Sequence, residues 1–119
     1  MRNMSFAMTT EQVRNQSKTV TRRFGWWFLK PGDVVQPIEK GMGLKKGEKV
    51  QKIGGPIRIV STRREMVGCV DDDDLIREGF PCMTRGEFIK LLTDNFSKAT
   101  GTSIVNRIEF EYVEKGGAV

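Results

Sequence analysis

Apolar and polar positions along the chain alternate in some segments and recur at helical spacing in others, which predicts a mixture of strands and short helices. Period-two alternation or β-branched composition indicates about five to six strands. These are predicted to start near Phe6 and to lie at 19–21, in VVQPIEK (34–40), at 50–53, at 56–64 and at 104–113. Helices do not separate these strands at regular intervals, so we expect an α+β fold or a small closed β-barrel of five to six strands.

Two or three short helices are predicted from their capping signals. Thr9 to Gln12 has the T-x-x-Q form of a capping box, and Thr84 to Glu87 has the T-x-x-E form. The first helix should end near Ser17. The helix after Thr84 has one apolar face, formed by Phe88, Leu91, Leu92 and Phe96.

The run DDDD, Asp71 to Asp74, is interpreted as the start of a helix rather than as a metal site. Four adjacent carboxylates cannot all point at one ion, and acids at a helix start are favoured by the helix dipole. Gly79 is expected to end this helix.

The length of 119 residues is that of one domain, which we predict to span 1–119 with its core at about 5–113 and a disordered tail at 114–119. The segment GMGLKKGEK is expected to be a loop. No apolar run is long enough for a membrane span, and the first residues do not resemble a secretory signal. Cys69 and Cys82 are therefore expected to be reduced thiols in a cytoplasmic protein.

Charge is divided unevenly along the chain, whose net charge is +5. Residues 14–64 carry 13 lysines and arginines against three acids, whereas residues 65–119 carry six against 11. The basic half suggests a phosphate-bearing partner. The chain has no histidine, and two cysteines cannot supply four tetrahedral ligands, so neither a zinc site nor a cofactor is expected.

The segment KTVTRR concentrates this chemistry, with three cations and two hydroxyls between Lys18 and Arg23. Two interpretations follow from its composition. It is either a surface patch that binds phosphate or part of an active site.

Three motifs, in this order, resemble the ASCH family, which has a PUA-like β-barrel fold. They are K-T-x-T-x-R from Lys18 to Arg23, E-G-F from Glu78 to Phe80, and I-E-F from Ile108 to Phe110. TRRFGWWFLKPGD and GLKKGEK resemble the variant of the family that tailed phages encode, which implies a location in the host cytoplasm. The resemblance covers about 5–113.

This resemblance implies an amidohydrolase that removes an acyl group from N(4)-acylated cytosine nucleosides or nucleotides. By motif, the catalytic residues would be Lys18, Thr21 and Glu78. A threonine hydroxyl attacks only when a base takes its proton, and lysine serves as that base only when its pKa falls by about three units from about 10.4. Burial and the adjacent cations Arg22 and Arg23 would lower it, while Glu78 would protonate the leaving amine.

The geometry of a regular strand sets a condition on this triad. Side chains alternate with period two along a strand, so Lys18 and Thr21 would lie on opposite faces if both belonged to it. We therefore expect the strand to start after Lys18. Arg22 stands where the hydrolases usually have an apolar residue, and a guanidinium there is suited to binding phosphate.

Two further functions remain open at this stage. One is a non-catalytic module that binds RNA or DNA, with Trp26 stacking on a base. Its binding residues would be Lys18, Arg22, Arg23, Lys45, Lys46 and Lys49. The other is a phage accessory protein that binds a host protein. In each case we expect a monomer that does not bind a membrane.

Overall fold

A computed structural model describes residues 1–96 and 98–113 of the chain. The described residues form five strands and three α-helices, with a 3-10 helical turn at Val67–Cys69. The strands are β1 (Arg2–Ser5), β2 (Val20–Arg23), β3 (Val34–Ile38), β4 (Ile57–Met66) and β5 (Ile104–Tyr112). The helices are α1 (Thr10–Arg14), α2 (Asp72–Arg77) and α3 (Arg85–Asp94). The α+β class predicted from the sequence is confirmed.

The five strands form one mixed sheet in the order β1-β3-β4-β5-β2, and the sheet is not closed. β1 and β3 pair in parallel, and the other neighbours are antiparallel. The β4–β5 ladder is the longest, and a bulge between Ile59 and Ser61 interrupts it. β1 and β2 are the two edge strands. Because β2 pairs with β5 alone, its other edge is open to the segments that build the candidate site.

Two apolar clusters hold the elements together. The first packs residues from β1, β3, β4 and β5 against one another, including Met4, Val35, Ile57 and Phe110. The second packs Leu75 of α2 and Phe88 and Leu92 of α3 against Val105 of β5 and the 3-10 turn. The second cluster therefore fixes α2 and α3 relative to β5.

The helix starts follow local hydrogen bonding. The Asp71 side chain accepts from the Asp74 backbone N–H at 2.8 Å, so the acidic run begins a helix as predicted. Thr84 and Glu87 form the predicted capping box. Thr9 differs, because its φ and ψ of −132° and 31° are not those of a capping residue, and in the described part of the chain no side-chain hydrogen bond caps α1 there.

The sequence misplaced two strands. The first strand lies at Arg2–Ser5, before Phe6, whose ring is buried in the first cluster. Residues 50–53 form only a single bridge, between Ile38 and Lys52, because Gly54 turns the chain at a φ of +59°. The tail expected to be disordered, 114–119, lies outside the described residues.

Candidate functional site

A cavity of about 220 Å³ lies beside β2, between the segment that follows β1, the end of α2, and α3. One wall is polar, and it is formed by Lys18, Thr21, Arg22, Arg23 and Glu78. The remaining lining is largely apolar and includes Phe6, Phe80, Phe88, Leu91, Leu92 and Phe96. The structure thus brings the three residues of the sequence-derived triad to one cavity, which the apolar face of α3 also lines.

Lys18 lies in the connection between α1 and β2, and β2 begins only at Val20. The bend that the triad requires is therefore present. The backbone N–H of Lys18 donates to the Gln12 carbonyl at 3.1 Å, and the Tyr112 hydroxyl donates to the Lys18 carbonyl at 2.5 Å. These two contacts hold the turn from both sides and direct the lysine side chain toward α2.

The Lys18 side chain is 2% exposed and points at the end of α2. Its Nζ donates to the Glu78 carbonyl at 2.7 Å and to Glu78 Oε1 at 2.8 Å. Burial lowers the pKa of Lys18 below its usual value, Glu78 opposes this effect, and Arg23 and Arg22 reinforce it. The direction of this change is the one that a lysine base requires.

Glu78 is held at the C-terminus of α2 by the conformation of the next residue. Gly79 has a φ of +94°, and a Cβ at Gly79 would lie 2.8 Å from the Gln12 side chain. Glycine is therefore needed both for the backbone conformation and for the close approach of α1. Glu78 is 2% exposed, and its Oε2 accepts from Arg22 at 3.1 Å.

Thr21 contacts Arg23 rather than Lys18. Arg23 Nε donates to Thr21 Oγ1 at 3.0 Å, and Arg23 Nη2 donates to the Ser5 carbonyl at 2.6 Å. No hydrogen bond joins Lys18 to Thr21 among residues 1–96 and 98–113. Burial lowers the pKa of Arg23 to about 10, so this guanidinium keeps its charge near neutral pH.

Arg22, which the sequence analysis assigned to phosphate, is 4% exposed and directs its nitrogens at carboxylates. Nε donates to Glu65 at 2.8 Å, Nη1 to Glu78 at 3.1 Å, and Nη2 to Asp74. With every nitrogen engaged, Arg22 orders these carboxylates in this structure. A phosphate would have to displace one of them.

Asp74, Glu65 and Arg107 were not identified from the sequence. Asp74 accepts from Arg107 Nε at 2.6 Å and from its Nη2 at 2.9 Å. These bonds, followed by those from Arg22, hold the pKa of Asp74 well below its usual range even though burial opposes them. Only one signal was available, which is that Asp74 precedes Glu78 by four residues and so shares its helix face.

The other predicted binding residues lie away from the cavity. Trp26 packs against the first apolar cluster with a φ of +60°, and its neighbour Trp27 is the more exposed, at 45%. Lys45, Lys46 and Lys49 are exposed on the glycine-rich loop. Lys49 lines a second hollow that shares Ala7 with the cavity wall.

The described residues contain no group of three or more metal-ligating side chains that could hold an ion. They also contain no helix long and apolar enough to cross a membrane.

Comparison with known proteins gives a likeness in fold. No protein-family model matches the chain, and no curated protein matches it either. A solved structure, protein EF3133 from Enterococcus faecalis V583, assigned to the family DUF984, superposes with a TM-score of 0.64 at 15% identity. The likeness covers 95% of this chain and 76% of that protein. At this identity it shows a shared fold.

Proposed function

We propose that the protein is an amidohydrolase that removes the acyl group from N(4)-acylated cytosine nucleosides or nucleotides. The observation that carries this proposal is a buried lysine, Lys18, bonded to Glu78 at 2.8 Å in a cavity that Thr21 also lines. By their place in the ASCH-like motifs, these three residues correspond to the catalytic lysine, threonine and glutamate of the hydrolases that the chain resembles. We also propose that the observed sheet is a variant of the PUA-like β-barrel, and the likeness in fold to EF3133 supports this.

In the first half-reaction, Thr21 Oγ1 attacks the acyl carbonyl carbon while Lys18 Nζ takes the hydroxyl proton. The hydrogen bond from Arg23 Nε favours the oxygen as it gains negative charge. Arg23 lines the cavity, and in this proposal its guanidinium also donates to the oxyanion of the tetrahedral intermediate.

The intermediate then collapses, and the bond between the acyl carbon and N4 breaks. Glu78 donates a proton to N4, so the cytosine amine leaves neutral and the acyl group remains as an ester on Thr21. That proton is the one that neutral Lys18 took from Thr21, and it passes along the hydrogen bond between Lys18 Nζ and Glu78 Oε1 before Glu78 delivers it to N4. In the second half-reaction water attacks the ester carbonyl carbon while Lys18 takes its proton. The bond to Thr21 Oγ1 then breaks, Oγ1 regains the proton from Lys18, and the acyl group leaves as a carboxylic acid.

The test is to incubate the protein with N(4)-acetylcytidine and a small panel of other N(4)-acylcytosines and to follow cytosine or cytidine release. Wild type should release the base, and Thr21→Ala and Lys18→Ala should release it at least about a hundredfold more slowly. Unchanged rates in both variants, with their folds intact, would refute these roles.

A second function, a module that holds RNA or DNA, is favoured by one observation. Lys45, Lys46 and Lys49 are exposed on one loop, and Lys49 borders a hollow next to the cavity. This function predicts binding that weakens with salt with a log-log slope of several units. If reversing the three lysine charges leaves that affinity unchanged, the loop is not the binding surface.

A further inference from the structure

Asp74 stands apart from the other acids of its run. Asp71 caps α2, and Asp72 and Asp73 are exposed in its first turn, where they already complement the helix dipole. Asp74 is 3% exposed and turns its carboxylate toward the sheet. A role in starting the helix therefore does not account for its burial.

The carboxylate of Asp74 lies between two arginines that the sheet forces together. Arg22 of β2 and Arg107 of β5 are directly opposite in the antiparallel register. Like charges at such a position repel each other, and the repulsion grows with burial. Arg107 donates two hydrogen bonds to Asp74, at 2.6 and 2.9 Å, and Arg22 Nη2 donates to the same carboxylate.

From Asp74 a continuous chain of ion pairs reaches the candidate site. Arg22 joins Asp74 to Glu78 Oε2 at 3.1 Å, and Glu78 Oε1 accepts from Lys18 at 2.8 Å. Glu78 follows Asp74 by four residues, and its backbone N–H donates to the Asp74 carbonyl at 2.8 Å. Arg22 thus connects the two carboxylates, and the helix backbone connects the same two residues.

We propose that Asp74 is a positioning residue for the candidate site. Acting through Arg22, it holds the Glu78 carboxylate against Lys18 and sets the charge that Lys18 experiences. This inference rests on the proposed function for its catalytic meaning, although its effect on Lys18 can be measured without turnover.

Several groups besides Asp74 also influence the protonation of Lys18. Glu78 contacts it from α2, Arg22 and Arg23 lie on β2, and the Tyr112 hydroxyl of β5 contacts its carbonyl. Arg22 is also balanced by Glu65 of β4, at 2.7 Å.

Asp74 has one further charged neighbour, Arg77 of α2, which donates to it at 3.1 Å. Its partner Arg107 in turn lies 3.9 Å from Glu109 on β5. Replacing Asp74 removes one negative charge from this set without changing the others.

The variant Asp74→Asn preserves the shape of the side chain and removes its charge. Arg22 then keeps only Glu65 and Glu78 as anionic partners, so it is drawn more strongly to Glu78. Both the lost negative charge and the weaker hold of Glu78 on Lys18 disfavour the ammonium form. Lys18 should therefore lose its proton at a lower pH in this variant.

The experiment follows the Lys18 side-chain NMR resonances against pH in wild type, in Asp74→Asn and in Asp72→Asn. Asp72→Asn is the matched control, since it removes an exposed acid from the same helix turn. We expect the Lys18 midpoint to fall by on the order of half a pH unit or more in Asp74→Asn and to stay in place in Asp72→Asn. In the hydrolase assay, the rise of kcat/KM with pH should move by the same amount.

Equal Lys18 midpoints in the two folded variants would overturn the inference. If Asp74→Asn does not fold, Glu65→Gln decides, because Glu65 contacts the same guanidinium from β4, with exposed Glu111→Gln as its control. A lower Lys18 midpoint in Glu65→Gln, with the midpoint unchanged in Glu111→Gln, supports the inference. An unchanged Lys18 midpoint in Glu65→Gln overturns it. Absence of hydrolysis by wild type would refute the proposed function while leaving the Lys18 titration to decide this inference.

Discussion

Lys18 is almost completely buried and forms an ion pair with a carboxylate that is itself buried. A lysine in this position is costly for folding unless it is paired, and the carboxyl group of Glu78 provides that pairing at 2.8 Å. The residue is thereby kept close to a proton acceptor while its surroundings disfavour its charge. This is the state in which lysine serves as a general base.

The lowered pKa of Lys18 predicts a specific pH dependence of hydrolysis. Because only neutral lysine accepts a proton, kcat/KM should rise with pH, with a midpoint below the value of about 10.4 of a free lysine. Lys18→Arg, whose guanidinium stays protonated, should show no such rise. Steady-state rates between about pH 6 and 10 measure this, and a flat wild-type profile would argue against Lys18 as the base.

At the scale of elements, the site depends on how α2 ends. The chain must turn sharply after Glu78 so that α1 can pack beside it, and Gln12 Nε2 donates to the Gly79 carbonyl at 3.2 Å across this contact. Lys18 lies four residues after the last residue of α1. The same junction therefore positions both the lysine and the glutamate.

Gly79→Ala should destabilise the protein by about 1–3 kcal/mol, because it adds a Cβ at a positive φ and at 2.8 Å from Gln12. Gly86→Ala is the control, because Gly86 lies in α3 with open space around it. This substitution should raise the free energy of unfolding by about 0.5–1 kcal/mol. Urea unfolding measures both. Equal effects of the two substitutions would show that the Gly79 junction is not strained by a side chain.

At the scale of the whole molecule, Arg23 links the two edges of the open sheet. It belongs to β2, and its guanidinium donates to the carbonyl of Ser5 on β1 and lies 4.7 Å from the Phe6 ring centroid. The link closes the cavity on the side of β1. Arg23 therefore stabilises the fold through Ser5 and also donates a hydrogen bond to Thr21 in the cavity.

Arg23→Ala should cost about 2 kcal/mol of unfolding free energy, because it removes charge-assisted hydrogen bonds that are largely shielded from water. Arg64→Ala is a close control, because Arg64 also lies 4.7 Å from an aromatic ring centroid, that of Trp27, but is exposed. Its loss should cost less than about 1 kcal/mol. Chemical denaturation of both variants measures the difference, and equal losses would contradict a structural role for the Arg23 link.

The buried ion network also sets the acid stability of the molecule. Hydrogen bonds from Arg107 and then Arg22 lower the pKa of Asp74, so its contribution is present above the usual aspartate pKa of about 3.9 and is lost as the pH falls below it. The free energy of unfolding of Asp74→Asn should be about 3 kcal/mol lower than that of wild type near neutral pH. Below about pH 5 it should depend less on pH than the wild-type value does. Asp72→Asn should behave like wild type. Denaturant unfolding across this range would contradict the role of the network if the wild-type and Asp74→Asn curves were parallel.

The sequence was most informative where function or folding is encoded locally. The capping box at Thr84 and the helix stop at Gly79 are both determined by residues within a few positions of one another. Lys18, Thr21 and Glu78 could be named as a set only through the resemblance in motifs. Their common cavity depends on how α2 packs against the sheet.

The charge network could not be predicted because it depends on distant pairing. Arg22 and Arg107 are 85 positions apart, and only the β2–β5 register makes them neighbours. Asp74 differs from the three acids before it only in its spacing of four residues from Glu78, which does not reveal its arginine partners. The carboxylates that engage the Arg22 guanidinium likewise come from β4 and the end of α2, far from β2 in the sequence.

The most direct test of the account is the rate of N(4)-acetylcytidine hydrolysis by wild type, Thr21→Ser and Thr21→Val. Valine has nearly the shape of threonine but lacks the hydroxyl, so the fold and the cavity should be preserved. We predict turnover by wild type, partial activity in Thr21→Ser, and a loss of at least about a thousandfold in Thr21→Val. No turnover by wild type, or equal rates in wild type and Thr21→Val, would contradict the proposed function.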